Sequence, residues 1–188
     1  MSLILRKHIE EIVALTDAEF AQILSYFTER KFRKHQFVVQ TGNSVDHDFF
    51  VLEGLLKASH LTESGKEYIV QFAMTNWWIS DYDALNNRVP AVSDIACIED
   101  TTVLCLSYDN KKKLCAGSHK MEHFFRIKTG TGFIALQKRL LSFMTQDTQA
   151  RYQQLFETYP TLFQRVPKSM IAAYLGVSRE TLSRLSSG

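Results

Sequence analysis

Three side chains near the carboxyl end, Arg179, Glu180 and Arg184, have the types and spacing needed to read base pairs. A guanidinium fork matches the O6 and N7 acceptors of guanine, and a glutamate accepts from the N4 amine of cytosine. Glu180 and Arg184 are four residues apart, so on a helix they share one face. Ser169, Ser178 and Thr181 add hydroxyls suited to phosphate oxygens, as are exposed amides at a helix N-terminus. On an arbitrary surface helix the same residues would be a solvated ion pair, so the scaffold around them decides the reading.

That scaffold is short. From Pro167 onward, Met170, Ile171 and Tyr174 or Leu175 repeat at helical spacing until Gly176 breaks the pattern. Ser178 is a good N-cap for a second helix carrying Thr181, Leu182 and Leu185. Leu175, Val177, Leu182 and Leu185 form the apolar wedge that would fix the crossing of the two helices. A helix, a glycine turn and a second helix opening Ser-Arg-Glu-Thr have the form of a DNA-reading helix-turn-helix. The net charge of the 188-residue chain is only +2. From Thr161 onward, however, Arg165, Lys168, Arg179 and Arg184 face the single acid Glu180. A phosphate footprint requires such a local excess.

The rest of the chain must hold this unit and inform it. An apolar fraction of 45% is that of an ordinary globular protein. Thr16-Asp-Ala-Glu19 is a capping box, with Phe20, Ile23, Leu24 and Phe27 on one helical face behind it. Short runs of β-formers follow, broken by turn residues at Gly42, Gly54 and Gly65, and the last pair flanks Asp100-Thr101. Such spacing predicts a small double-sheet barrel or jelly roll. From about Lys111 the pattern turns helical. Ile127, Ile134 and Leu141 repeat every seven residues, widened by Leu140, Phe143 and Met144, which suits a long helix pairing with a second copy. Gly130 and Gly132 cost helix stability, and a close helix–helix approach would explain them. Asp147 reads as the N-cap of the next helix. The expected fold class is α+β, with a β-barrel sensor domain and N-terminal helices over 1–117, a dimerisation helix over 118–146, and an all-α helix-turn-helix domain over 147–188.

These residues resemble the Crp/Fnr family of bacterial transcription regulators. Ser178-Arg179-Glu180-Thr181 followed by Arg184 looks like the recognition helix of its cyclic-AMP-responsive member, and the resemblance implies a TGTGA-like half-site. Ser183 before Arg184 also looks like the oxygen-sensing branch, which reads a TTGAT-like half-site. Gly42, Gly54 and Gly65 look like the family's barrel-turn glycines, and Asp147 falls at its hinge. The implied partners are near-palindromic double-stranded DNA, a second copy of the chain, RNA polymerase and a small-molecule effector. The family's β-wing after the recognition helix looks absent beyond Arg184.

The sensor pocket departs from the family pattern. In the cAMP binders a Gly-Glu segment meets the ribose and an Arg-Ser-Ala segment meets the phosphate. Laid alongside without gaps, Gly-Glu falls on Ser80-Asp81, the arginine on Ala91, its serine on Val92, and the base-contacting Thr-Ser pair on Leu136-Gln137. Burying a phosphate without a paired cation is costly, so cAMP is not the expected effector. Trp78, Asp81, Tyr82, Arg88, Leu136 and Gln137 are the candidate lining of any effector pocket, with Met74 and Trp77 crowding the same region. Aromatic packing of a plain core is the simpler account of the two tryptophans.

Other chemistry is not indicated. Three cysteines, Cys97, Cys105 and Cys115, are odd in number and lack CxxC spacing, which suits free thiols in a reducing cytosol. His119 and His123 stand four apart, but a solvated helix start explains them without a metal. No phosphate loop, dinucleotide fingerprint or nucleophile elbow is present, so neither catalysis nor a cofactor is expected. No apolar run reaches the length of a membrane span. The alternative to a DNA-binding regulator is a ligand-sensing barrel that acts through protein contacts alone.

Overall fold

The computed structural model describes residues 2–185. Two helices, α1 (Ser2–Glu10) and α2 (Asp17–Leu24), precede six strands: β1 (Phe27–Phe32), β2 (Phe37–Val39), β3 (His47–Glu53), β4 (Leu55–Leu61), β5 (Glu67–Met74) and β6 (Trp78–Ile79). A short helix, α3 (Tyr82–Asn87), leads to β7 (Asp94–Cys97) and β8 (Thr101–Ser107). Helices α4 (Tyr108–Gly117), α5 (His119–Thr145), α6 (Thr148–Thr158), α7 (Pro160–Arg165), α8 (Lys168–Leu175) and α9 (Arg179–Leu185) follow. The fold is therefore α+β, with the strands in two sheets ordered β1-β8-β3-β6 and β2-β7-β4-β5.

Chain contacts divide the molecule into two compact units, 1–59 with 71–129, and 60–70 with 130–188. In the first unit, β3 and β8 pair antiparallel, with Phe49 opposite Cys105 and Val51 opposite Val103. Both strands are buried on both faces, which is why each carries consecutive apolar residues, 49–52 and 103–106. Alternate side chains point to opposite sides of a sheet. Phe49, Val51, Val103 and Cys105 accordingly fill the barrel with Val39, Ile79, Leu85 and Ile95. Phe50, Leu52, Leu104 and Leu106 face the other way, onto Leu5 and Ile9 of α1, Phe20 and Ile23 of α2, Leu114 of α4, and Met121, Phe124 and Phe125 of α5. Each such large apolar side chain contributes about 1.5–3 kcal/mol by leaving water.

Gly54 makes the tight turn between β3 and β4 at φ +99°, and a Cβ there would overlap Thr101 Oγ1 and lie 2.5 Å from the Asp100 carbonyl oxygen. No other residue fits that backbone in that space. Strand β1 lies at a sheet edge and exposes Thr28, Glu29, Arg30 and Lys31. Two elements differ from the sequence expectation. Helix α2 stops at Leu24, so Phe27 opens β1 instead of extending the helical face. Helix α7, which the sequence reading does not anticipate, begins at Pro160, where its missing N–H is no loss.

The capping box is present as read. The Thr16 hydroxyl accepts from Glu19 N at 3.2 Å, and Glu19 Oε2 accepts from Thr16 N at 2.8 Å. Helix α5 runs unbroken through both glycines for 27 residues. A Cβ at Gly130 or Gly132 would meet nothing within 4 Å, so no neighbour in the single chain explains either glycine. In the second unit Leu155, Leu162, Val166, Ile171, Ala172, Leu175 and Leu182 are buried.

Candidate nucleic-acid interface and sensor cup

Gly176 ends α8 in the left-handed region at φ +73°. Its amide and that of Val177 both reach the Ala172 carbonyl, the latter at 3.0 Å, which satisfies the end of the helix and reverses the chain. The Ser178 hydroxyl accepts from Thr181 N at 3.2 Å and so caps α9. Leu175 and Leu182 are buried and Val177 half-buried, so three of the expected wedge residues bring the two helices together. Nothing is described of the Leu185 side chain, and Ser186 to Gly188, where a wing would begin, lie outside the described residues.

This scaffold leaves Arg179, Glu180 and Arg184 exposed on α9, with Thr181 half-buried. Its own backbone amide and the Ser178 hydroxyl hold the Glu180 carboxyl below the usual carboxylate range, with help from Arg179 and Arg184. Glu180 is therefore an ionised acceptor at any ordinary pH. Ser169 is exposed in the first turn of α8 and makes no cap there, since Pro167 precedes that helix with no side-chain bond.

The sensor cup is built differently from a phosphate site. Asp81 is buried and spends both oxygens on backbone amides. Oδ1 caps α3 through Ala84 N at 3.2 Å, and Oδ2 accepts from Val92 N at 2.9 Å and Ser93 N at 3.2 Å. The carboxylate thus sits on the segment where the resemblance would place a phosphate contact, with the chain supplying its own anion. Arg88 is turned elsewhere. It is left-handed at φ +58°, donates to Asp46 at 2.8 Å, and stacks over Tyr108 at 4.6 Å. The Tyr82 hydroxyl donates to buried Asp48 at 3.2 Å, and Lys111 meets the other Asp48 oxygen at 2.8 Å. Burial pushes both the Asp48 carboxyl and the Tyr82 hydroxyl up.

Trp78 is not in the barrel interior with Asp81. Its ring stands 5.1 Å from Phe50 and 5.7 Å from Phe125, and its Nε1 donates to His8 Nε2 at 3.2 Å, in the cluster under the helices. Trp77, by contrast, packs against the barrel core. Leu136 and Gln137 are exposed on α5. Within the first unit Trp78 thus packs in a different cluster from Asp81 and Tyr82, and Leu136 and Gln137 belong to the second unit. Among the described residues no three His, Cys, Asp or Glu side chains are grouped to hold a metal ion. Burial raises all three thiols, Cys105 and Cys115 to about 11. No described helix is long and apolar enough to cross a membrane.

Two features escaped the sequence reading. His8 is buried between Phe50 and Phe124, and its Nδ1 has no hydrogen-bond partner. Arg139 on α5 is half-buried although it carries a charge. Most of their partners lie far away in sequence, Trp78 and Phe124 for His8 and Ile69 and Tyr174 for Arg139.

Two antiparallel sheets closed over an apolar interior, a long helix and a terminal helical unit make up a β-barrel followed by a helix-turn-helix. Residues 29–118 match the model of the cyclic nucleotide-binding domain family, and most of the chain shares the fold of solved Crp/Fnr regulators. It is similar to FixK2 of Bradyrhizobium japonicum, with 18% identity, a TM-score of 0.73, and 86% of this chain covering 83% of that one. It is also similar to CLP, described as a c-di-GMP-responsive global regulator of Xanthomonas campestris, at 11% identity and a TM-score of 0.74, over 92% of this chain and 90% of that one. The Thermus thermophilus catabolite activator protein matches at 21% identity and a TM-score of 0.58, over 93% and 83%. No curated protein sequence matches the chain significantly.

Proposed function

We propose that the chain is a homodimeric, sequence-specific DNA-binding transcription regulator of the Crp/Fnr type. The observation that carries this reading is the exposure of Arg179, Glu180 and Arg184 on a helix fixed from below by Leu175 and Leu182. The two arginines and Glu180 read base edges, and Ser169, Ser178 and Thr181 meet the backbone.

Pairing occurs along α5. Its second half leaves Phe133, Ile134, Leu136, Leu140, Leu141 and Met144 between 51% and 75% exposed, an apolar patch of the kind that marks an interaction surface. In the pair, Gly130 and Gly132 allow close approach. Twofold symmetry then presents two α9 helices to a near-palindrome, and RNA polymerase is the downstream partner. The effector is not cAMP, a reading supported by Asp81, whose carboxyl already takes the amides of Val92 and Ser93.

Selection of bound sequences from a random DNA pool, repeated across salt concentrations, tests the reading. The expected result is an enriched two-half-site palindrome with affinity falling steeply as salt rises. Uniform recovery of all sequences would overturn it in favour of a sensor acting through protein contacts.

A further inference from the structure

Arg139 stands on α5 with its guanidinium directed at backbone carbonyls, not carboxylates. Nη2 donates to the Ile69 carbonyl at 3.0 Å and to the Tyr174 carbonyl at 3.0 Å, and Nη1 donates to the Val70 carbonyl. The guanidinium carbon lies 3.9 Å from the centre of the Tyr174 ring and 5.4 Å from that of Phe143. Burial lowers its pKa. All of these groups belong to the second unit.

Each contact closes a different gap. Strand β5 is the last strand of its sheet, so its outer backbone edge has no strand neighbour among the described residues. Tyr174 is the penultimate residue of α8, where carbonyls lack intrahelical donors and a cation is favoured. One planar fork can satisfy several carbonyls while stacking on an aromatic face, which an ammonium cannot. Desolvating a guanidinium is costly, and it is tolerated only where its donors are used.

From this geometry we infer that Arg139 is a positioning residue for DNA recognition. It clasps the end of α8, and through the Gly176 turn α9, to α5 and to the edge of the β4–β5 hairpin. The recognition helix is held in one orientation by a residue that touches no DNA. Displacement of the hairpin breaks the same bonds that fix the helix-turn-helix, so the two segments respond together. The inference rests on the DNA-binding reading only for its consequence; the clasp itself is a statement about this chain alone.

The test compares wild type, Arg139→Lys and Arg139→Met as the full chain without DNA, by hydrogen–deuterium exchange. Arg139→Met is expected to speed exchange at least ten-fold in two separated segments, residues 66–72 and 170–178. The barrel strands β3 and β8 should be unchanged, and Arg139→Lys should fall between. Unchanged exchange in either segment overturns the clasp, as does faster exchange spread equally over the barrel, which would mean plain loss of stability. A second measurement titrates the palindrome selected from the random pool. Arg139→Met is expected to weaken it at least ten-fold while preserving its sequence preference. Equal binding by both proteins refutes the positioning role even if exchange changes. If wild type binds no DNA, the regulator reading fails, while the exchange result still decides the clasp.

Discussion

His8 should make the stability of this protein depend on pH in a range where most carboxylates are silent. Its imidazole is buried, stacked near Phe50 at 5.0 Å and Phe124 at 5.7 Å, and accepts from Trp78. Burial, and then the Lys128 charge, lower its pKa from 6.5 to about 4, while Glu11 and Asn76 pull weakly the other way. The unfolded chain therefore binds a proton between these values that the folded chain refuses. Stability is fully present above pH 6.5, falls as pH drops through 6.5 toward 4, and levels off below the folded value. A displacement of that size corresponds to roughly 3 kcal/mol across the window, a large part of a typical 5–15 kcal/mol total. His47, also lowered by burial, adds to the same slope. Urea unfolding at fixed protein concentration from pH 8 to pH 4.5 measures it. His8→Gln keeps an acceptor for the Trp78 N–H and cannot titrate, so its profile should lack most of the slope. Equal slopes for the two proteins would refute the reasoning.

Further outcomes follow from other sites. Gly54→Ala should destabilise the barrel by more than about 3 kcal/mol, because its Cβ meets backbone and the φ is strained; thermal melting checks this. Leu140→Glu with Leu141→Glu should convert a dimer to monomer by placing charge in the proposed seam, read by sedimentation velocity; an unchanged dimer would move the interface elsewhere. Arg179→Ala should cost about 1–3 kcal/mol of DNA affinity and relax one base position; equal loss on all sequences would make Arg179 a phosphate contact. A fluorescent cAMP analogue should show no saturable binding to wild type, and tight binding would show that the Asp81 carboxylate gives way.

The fold was legible where local signals are strong. The Thr16 capping box, the Ser178 cap, the Gly176 turn and the heptad on α5 each rest on neighbours within a few residues. Strand β1 was not, because Phe27 through Phe32 buries little and carries charge, so it lacks the alternation of a half-buried strand. Helix α7 was hidden because Pro160 reads equally as a stop or a start. At the candidate interface, residue types singled out Arg179, Glu180 and Arg184, and the structure adds that all three are exposed on α9. The sensor cup needed coordinates: whether Asp81 faces a ligand or its own chain depends on amides eleven and twelve residues away. Trp78 and its neighbour differ only in which side of a pleat they occupy, which a run of two tryptophans does not disclose. Arg139 joins segments 35 and 70 residues distant, beyond the reach of any periodicity.

The charged run on β1 has a bearing on how this chain survives at high concentration. An outermost strand offers unpaired amides and carbonyls to any passing molecule, and a flat apolar one invites fibres. Glu29, Arg30 and Lys31 line this rim with ions that an approaching backbone would have to strip of water. Replacing the three with valine or threonine would leave the barrel interior untouched and give this rim the flat apolar edge that templates self-association, a liability no inspection of the core would foretell.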